Sequence, residues 1–316
     1  MTPATPLRDL LLKLCRREDL TRDQAREAFE YIMSGQASEA QIAGLLVGLA
    51  AKGTTSEELI GAATVMREKS VPIGCDVESS VILDTCGTGG DVKGTFNIST
   101  AAALIAAACG VKGVKHGNRT ASGLAGSAGV LGQVGGKVEL PPEELRAWPD
   151  QAGICFAFAR SHHPAMKHVA ATRSALGIPT VFNLLGPLTN PGRARHQLLG
   201  VFSPELTDRL ASVLAGLGSV RAWVVHAQDG LDELSTIGPT RISDLHNGQV
   251  HTSMLDPTSL GLPYARLSDL QIASAAEAGE ALRQVLGAKP GPMYDIAALN
   301  GAAAVVVAGK AQDLPH

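Results

Sequence analysis

VILDTCGTGGDVKGTFNISTAAALIAAACGVKGVKHGNR, residues 81–119, is the stretch that decides the fold of this chain. It begins with an apolar segment at 81–85, typical of a buried strand, and continues through a glycine-rich loop into a helix that starts near Ser99. A second strand is predicted at 111–116. Strands that alternate with helices are typical of an α/β fold with a largely parallel sheet.

The rest of the C-terminal part continues this alternation. The segments TRISDL and QVHTSML flank Asn247–Gly248, a pair that favours the tight turn of a β-hairpin. Ser203 and Pro204 have the composition of a helix start. Further strands are predicted at 154–158, 179–182, 197–202 and 221–227, and late helices at 274–286 and 294–308.

Residues 1–73 have a different pattern, which is typical of helices alone. Ile42, Leu45, Leu46 and Leu49 recur at helical spacing. Three predicted helix starts have a hydroxyl residue with a Gln or Glu three positions later, the spacing of a capping box. These pairs are Thr21 with Gln24, Ser38 with Gln41, and Thr55 with Glu58. A small all-helical domain therefore precedes the α/β part.

The composition limits the classes of partner. The net charge is −3 and no basic run stands out, which argues against a protein that binds nucleic acid through its phosphates. The N-terminus lacks the features of a signal peptide, and the alanine-rich segment 101–109 is too short to span a bilayer. Five cysteines without a CxxC pair favour reduced thiols. We therefore expect a cytoplasmic protein that binds neither membranes nor nucleic acid.

Two motifs favour the binding of phosphate. GTGGD, Gly87–Asp91, follows the first strand, and its glycines allow several backbone N–H groups to point at one anion. NIST, Asn97–Thr100, opens the next helix, where hydroxyls and free N–H groups also favour an anion. The alternatives are a plain glycine turn for the first motif, and simple N-capping by Asn97 or Ser99 for the second.

Two further motifs add a cation and paired acids. KHGNR, Lys115–Arg119, follows the second strand, and in open α/β sheets ligands lie at the carboxyl ends of strands. DGLDE, Asp229–Glu233, follows a later strand, and a turn at Gly230 allows Asp232 and Glu233 to converge. Carboxylates beside a phosphate site suggest Mg²⁺. The alternatives are a solvated loop for the first motif and an acidic surface turn for the second.

Together these segments resemble the anthranilate phosphoribosyltransferase family, and the resemblance covers nearly the whole chain. KHGNR and FNLLGPLTNP are its most specific motifs. The full set, in the order of the family, is DTCGTGGD at 84–91, NIST at 97–100, KHGNR at 115–119, GSA at 126–128, HHPAMKHVA at 162–170, FNLLGPLTNP at 182–191 and DGLDELS at 229–235.

The resemblance implies a fold similar to the class II nucleoside phosphorylases, with a small helical domain, a large α/β domain that has a mostly parallel central sheet, and an active site in the cleft between them. The helical domain would cover 1–73 and be joined by 163–190, and the α/β domain would cover 74–162 and 191–316. Such enzymes usually form homodimers. They transfer phosphoribose from phosphoribosyl pyrophosphate to anthranilate, which gives N-(5-phosphoribosyl)anthranilate and pyrophosphate in the second step of tryptophan biosynthesis from chorismate.

The resemblance also implies the roles of individual residues. Mg²⁺, the expected cofactor, would be held by Ser99, Asp232 and Glu233. Anthranilate would contact Gly87, Asn118 and Arg173. Phosphoribosyl pyrophosphate would be held by Gly87, Gly90, Asp91, Thr95, Asn97, Ile98, Ser99, Thr100, Lys115, His116, Gly117, Asn118, Arg119, Ser122, Gly123 and Ser127. Arg173 suits a carboxylate because guanidinium groups bind it in a planar fork, and the alternative is an ordinary surface ion pair on a helix at 165–176.

After KHGNR the chain departs from the family pattern. Leu124 stands where the family has Lys, Gly129 where it has Asp, and Gly132 where it has Glu. The two glycines are expected to weaken the helix that starts near Ser127 by about 1 kcal/mol each. Two other functions stay open: a nucleoside phosphorylase, which shares the architecture and a similar KHG loop, and a non-catalytic paralogue that binds nucleic acid.

Overall fold

The structure, a computed structural model, shows a chain that divides into two compact units, one helical and one built on a sheet. This confirms the predicted fold class. The residues described are 6–78, 80–89, 93–118 and 126–315. The helical unit contains Met1–Val71 and His163–Thr189, and the α/β unit contains Pro72–His162 and Asn190–His316.

The elements are numbered in chain order. The strands are β1 Ile82–Gly87, β2 Lys112–Gly117, β3 Ile154–Phe158, β4 His196–Gly200, β5 Arg221–Ala227, β6 Thr240–His246 and β7 Gln249–Leu255. The helices are α1 Pro6–Cys15, α2 Arg22–Met33, α3 Glu39–Lys52, α4 Ser56–Glu68, α5 Ile98–Ala108, α6 Ser127–Gln133, α7 Pro142–Leu145, α8 Trp148–Gln151, α9 Ala159–His162, α10 Lys167–Leu176, α11 Val181–Leu185, α12 Leu206–Gly216, α13 Ala275–Leu286 and α14 Pro292–Val307. Short 3₁₀ turns cover Pro164–Met166, Gly186–Leu188, Pro257–Leu260 and Leu267–Asp269.

In the helical unit, α2, α3 and α4 begin at the capping boxes predicted from the sequence. One of the capping residues, Glu58, is only 1% exposed, and its carboxylate also joins neighbouring segments. It accepts hydrogen bonds from the Leu20 N–H at 2.8 Å and from Lys52 Nζ at 3.0 Å. On α2, the ring of Phe29 packs edge-on against Phe182, with 5.8 Å between the ring centroids. Local caps therefore start these helices, and buried contacts fasten them together.

The α/β unit is built on a seven-stranded sheet with the order β3-β2-β1-β4-β5-β6-β7. Strands β1 to β5 run parallel, and β5, β6 and β7 pair in antiparallel fashion. The strand order reverses at β1, because β2 and β3 lie on one side of it and β4 and β5 on the other. The β6–β7 hairpin turns at Asn247 and Gly248, which have φ angles of 52° and 76°. Positive φ at both turn residues is what a two-residue hairpin of this type requires, so that prediction is confirmed.

Two local predictions are wrong. The segment 179–182 is not a strand, because α11 begins at Val181. The backbone N–H of Thr180 donates to the Asn183 side chain at 3.0 Å, so a helix-start contact outweighs the strand preference of the Thr, Val and Phe residues there. Helix α12 begins at Leu206 and not at Ser203, whose carbonyl instead accepts the Leu206 N–H at 3.2 Å in a preceding turn.

None of the described helices is long and apolar enough to cross a membrane.

Candidate functional site

The loops that carry the four motifs follow strands β1, β2 and β5 at their carboxyl ends, or open the helix after β1. Strand β1 is the point where the order of the sheet reverses. In open parallel sheets the loops on either side of such a point separate and leave a crevice for a ligand. The topology alone therefore brings the motifs to one edge of the sheet.

Lys115 on β2 joins its strand to β1 and to the start of α5. Its ammonium group donates to the Thr85 carbonyl at 2.6 Å and to Ser99 Oγ at 3.2 Å. The side chain is nearly inaccessible, at 3% exposure. Burial lowers the pKa of Lys115, although Asp84, Cys86 and Glu233 act in the opposite direction. A buried cation at this position attracts anions strongly, because little water screens its charge.

The NIST segment forms the beginning of α5, as predicted. Ile98 is the first helical residue, and the Asn97 side chain makes no capping hydrogen bond to the helix. Asn97 therefore occupies the N-cap position, but its side chain does not cap the helix. Thr100 donates its hydroxyl hydrogen to Ser127 Oγ at 3.2 Å, which links the start of α5 to the start of α6. Two helix N-termini, both favourable for negative charge, thus lie next to each other.

The acidic loop after β5 reaches the end of β1. A Cβ atom added to Gly87 would lie 2.6 Å from Asp232 Oδ2, so a larger residue would force this carboxylate to move. A Cβ atom added to Gly200, at the end of β4, would lie 1.5 Å from the Asp232 backbone oxygen. Both contacts join residues far apart in the sequence. Asp232 is buried, with 8% exposure. Its neighbour Glu233 lies close enough to Lys115 to act on the pKa of that lysine in the upward direction.

Hydrogen bonds within the α/β unit hold the acidic loop in this position. The Asn300 side chain on α14 accepts the Leu234 N–H at 3.0 Å and donates to the Leu234 carbonyl at 2.8 Å. Asp229 accepts the Leu231 N–H at 3.0 Å, and the Ala227 N–H bonds to the Leu231 carbonyl. The interpretation of DGLDE as a plain surface turn is therefore wrong, because Asp232 is buried and the loop is fixed at both ends.

The residues proposed as metal ligands can be judged by the chemistry of their donors. Among the described residues, no group of three His, Cys, Asp or Glu side chains could hold a metal ion. Asp232 and Glu233 supply two hard carboxylate donors. The Ser99 hydroxyl accepts a hydrogen bond from the Lys115 ammonium, and Glu233 lies near enough to the same ammonium to act on its pKa. Mg²⁺ is usually bound through one or two carboxylates together with substrate oxygens and water. The donor set therefore fits Mg²⁺ that arrives with a phosphorylated substrate.

Other predicted site residues lie in the segment before α5 and at the end of β2. Thr95 forms an antiparallel bridge with Gln271, and the Ile272 N–H donates to the Gly94 carbonyl at 2.9 Å. His116 and Gly117 end β2, and Asn118 follows them at an exposed position. Outside the described residues lie the predicted positions Gly90, Asp91, Arg119, Ser122 and Gly123, and also Leu124.

Arg173 belongs to the helical unit, on α10. Its guanidinium lies over the ring of Phe182, 4.9 Å from the ring centroid, and burial lowers its pKa. In the described part of the chain no carboxylate forms an ion pair with it, which argues against the ordinary surface ion pair. The stacking holds the planar group in one orientation and leaves its N–H donors for another partner.

Four residues that shape this edge were not predicted from the sequence: Asp84, Asn190, Gly200 and Asn300. Three of them are polar and at most 5% exposed. A signal existed for two of these, since Asp84 interrupts an apolar strand and Asn300 an apolar, alanine-rich helix. Buried polar groups of this kind need partners, which is a reason to examine them.

Two family models match the chain. One, described as the a/b domain of the glycosyl transferase family, matches residues 79–316. The other, described as the helical bundle domain of the glycosyl transferase family, matches residues 8–70.

Individual relatives agree with the family models. The chain is 47% identical over 313 residues to the anthranilate phosphoribosyltransferase of Rhodospirillum rubrum, covering 99% of this chain and 89% of that protein. The crystal structure of the anthranilate phosphoribosyltransferase from Thermus thermophilus is similar, with a TM-score of 0.90, 42% identity, and coverage of 97% of this chain and 91% of that one. The enzyme from Saccharomyces cerevisiae, in complex with PRPP and Mg, has a TM-score of 0.87 and 29% identity, with coverage of 98% and 90%. A further structure of the yeast enzyme contains 4-fluoroanthranilate.

Proposed function

We propose, because the chain belongs to the anthranilate phosphoribosyltransferase family, that it transfers phosphoribose from phosphoribosyl pyrophosphate to anthranilate. The products are N-(5-phosphoribosyl)anthranilate and pyrophosphate, in the second step of tryptophan biosynthesis from chorismate. The observation that supports this most is the convergence of Lys115, Ser99, Gly87 and the Asp232–Glu233 pair at one edge of the sheet. The yeast relative, whose complexes contain PRPP and Mg or 4-fluoroanthranilate, supports the same choice of ligands.

The phosphoribosyl pyrophosphate is held, in this proposal, by the loop at Gly87, the start of α5 and the turn after β2. Lys115 supplies a buried positive charge, and the start of α5 supplies backbone N–H groups. Such donors favour the departing diphosphate because negative charge grows on its oxygens as the C1–O bond of the ribose breaks. Mg²⁺, held by Ser99, Asp232 and Glu233, would neutralise part of the same charge when bound.

The acceptor needs orientation more than activation. The amine of anthranilate is uncharged at neutral pH, so no strong base is required before its nitrogen bonds to C1 of the ribose. The amine proton leaves to water after the new bond has formed. Arg173 and Asn118 are proposed to bind anthranilate, and the guanidinium of Arg173 suits its carboxylate. Alignment of the two reactants then supplies much of the rate acceleration.

The decisive experiment is a fluorescence assay of N-(5-phosphoribosyl)anthranilate formation by the purified chain. We expect product only when phosphoribosyl pyrophosphate, anthranilate and Mg²⁺ are all present, and none after the metal is chelated. Absence of product under saturating substrates would overturn the proposed reaction.

The nucleoside phosphorylase remains the second candidate, because it shares the architecture implied by the resemblance. FNLLGPLTNP and the DGLDE motif favour the transferase. Phosphorolysis of thymidine and uridine, measured on the same preparation, separates the two functions, and we expect none. The nucleic-acid-binding paralogue is disfavoured by the net charge of −3 and by the presence of both Asp232 and Glu233. A gel-shift test with single-stranded DNA is expected to show no complex.

A homodimer and a cytoplasmic location are also proposed. The first follows from the usual assembly of the family that the chain resembles, and the second from the reduced cysteines expected from its sequence. Light scattering on the eluting peak of a size-exclusion column measures the mass directly. A mass of twice 32.6 kDa is expected for a homodimer.

A further inference from the structure

The central sheet forks between β1 and β2. The two strands pair only at Ile82 with Lys112 and at Leu83 with Gly113. Beyond these positions β1 stays paired with β4 as far as Gly87, and β2 stays paired with β3 as far as Gly117. The sheet therefore continues on both sides, and the opening, which we call the fork, begins at Asp84.

Side chains replace the missing backbone pairs inside the fork. Asp84 Oδ1 accepts the His116 N–H at 3.2 Å, and Asn190 Nδ2 donates to the Val114 carbonyl at 2.7 Å. Across the same gap, Lys115 Nζ donates to the Thr85 carbonyl at 2.6 Å. Buried backbone groups need partners, and here the partners are three side chains in place of a continued ladder.

The choice of a carboxylate at position 84 requires an explanation. Asp84 is 1% exposed, and burial of a carboxylate costs free energy unless it is paired. Two parallel strands that stay together would satisfy the same His116 N–H without any buried charge. Asp84 instead accepts the His116 N–H through its side chain, and it places a negative charge near Lys115.

We propose that Asp84 is a positioning residue for the donor substrate: it keeps the ends of β1 and β2 apart, so that residues 87–89 and residues 116–118 face one diphosphate from two sides. This inference rests on the proposed binding of phosphoribosyl pyrophosphate. Asp84 touches no substrate in this role and acts through His116 and Lys115. Asn190, which also accepts the Gly192 N–H at 2.8 Å, supports the other end of the fork.

The test is the affinity for phosphoribosyl pyrophosphate with Mg²⁺, measured by calorimetry without anthranilate on the full chain. Asp84→Leu removes the acceptor and the charge, and we expect its Kd to rise by about tenfold or more. Asp84→Asn keeps an acceptor oxygen and the shape, so it folds more readily, and we expect a rise of about threefold or more. In steady-state kinetics the KM for anthranilate should stay within about twofold of the wild-type value in both variants.

The control variant is Gln197→Ala, which removes another buried polar side chain next to β1. Gln197 donates to Cys86 Sγ at 3.0 Å and lies on β4, which pairs with β1 on the side away from β2. Its Kd should match that of the wild type. If the Asp84 variants are folded and bind like the wild type, or if Gln197→Ala weakens binding equally, the inference is wrong. If the wild-type chain itself does not bind the ligand, the proposed function has failed instead.

Discussion

At the scale of the residue, Arg173 is the side chain that we propose to select the acceptor. It is half-buried on α10, and its guanidinium stacks on Phe182, 4.9 Å from the ring centroid. The ring restricts the rotation of the side chain, so less conformational entropy is lost when the guanidinium binds a carboxylate. The guanidinium of Arg173 is therefore held in one orientation before the ligand binds.

Replacement of Arg173 should weaken acceptor binding. Arg173→Ala removes a charge-assisted pair worth about 1.5–3 kcal/mol, so the KM for anthranilate should rise by roughly ten- to a hundredfold, with little change in the KM for phosphoribosyl pyrophosphate. Lys167→Ala, on the first turn of the same helix, removes an exposed positive charge and is the matched control. An unchanged anthranilate KM in Arg173→Ala would refute the role of this residue.

At the scale of elements, α6 is a short helix with a low helix propensity. It covers only Ser127–Gln133 and contains Gly129 and Gly132, whose added Cβ atoms would meet nothing within 4 Å. Neither glycine has a positive φ. The two positions therefore keep the conformational freedom of glycine in the unfolded chain without a packing reason in the folded one.

Alanine at these positions should stabilise the protein. Gly129→Ala and Gly132→Ala are each expected to add up to about 1 kcal/mol to the free energy of unfolding. Urea titration followed by circular dichroism measures the change. Gly135→Ala is the control, because Gly135 has a φ of 87° and alanine there should be destabilising. Equal effects at all three positions would show that helix propensity is not the cause.

The helical unit contains a buried ion pair between α3 and α4. Lys52 and Glu58 have side chains that are 5% and 1% exposed, with 3.0 Å between Nζ and Oε2. Burial acts to lower the pKa of Lys52, but its hydrogen bonds to Asp19 and Glu58 outweigh this and raise the pKa. A raised lysine pKa adds stability that is complete below the unfolded value, about 10.4, and is lost as the pH rises through the folded value.

Removal of the Lys52 charge should therefore lower the free energy of unfolding most below about pH 10. Lys52→Met leaves a buried carboxylate unpaired and should lower the free energy of unfolding by about 3 kcal/mol at pH 8, and the difference from the wild type should shrink above pH 10. Arg22→Met, which removes an exposed pair with Glu57, should leave the free energy of unfolding nearly unchanged, because solvent screens that pair. Unfolding curves at pH 8 and pH 11 measure the free energies of unfolding. If Lys52→Met differs from the wild type by the same amount at both pH values, the stabilising role of the Lys52–Glu58 pair is contradicted.

At the scale of the whole molecule, ligand binding and folding are linked. A ligand that binds only the folded chain, at a concentration of a hundred times its Kd, adds about 2.7 kcal/mol to the free energy of unfolding. Phosphoribosyl pyrophosphate with Mg²⁺ should therefore raise the melting temperature by about 4 °C. Scanning calorimetry with ribose 5-phosphate as the control ligand measures the shift. No shift at saturating concentration would contradict binding of the diphosphate by the folded chain.

Much of the architecture was predictable because it depends on neighbours in the sequence. Capping boxes at Thr21, Ser38 and Thr55 involve residues three positions apart, and the turn at Asn247–Gly248 involves two. The alternation of strands and helices predicted a mostly parallel sheet with the motifs at strand ends. The prediction of a strand at 179–182 was wrong. The β-branched and aromatic residues there prefer a strand, but the contact between Thr180 and Asn183 at the start of a helix outweighs that preference.

The sequence by itself determined the order of the elements, their caps and the kinds of group gathered at one edge of the sheet. Only the tertiary structure decided that Asp232 lies against Gly87 and Gly200, that Asn300 holds the acidic loop, and that the sheet forks at Asp84. These contacts join residues separated by tens of positions or more along the chain. Local preference carries no information about such pairs, because they form only when packed elements bring distant backbone segments within hydrogen-bond distance.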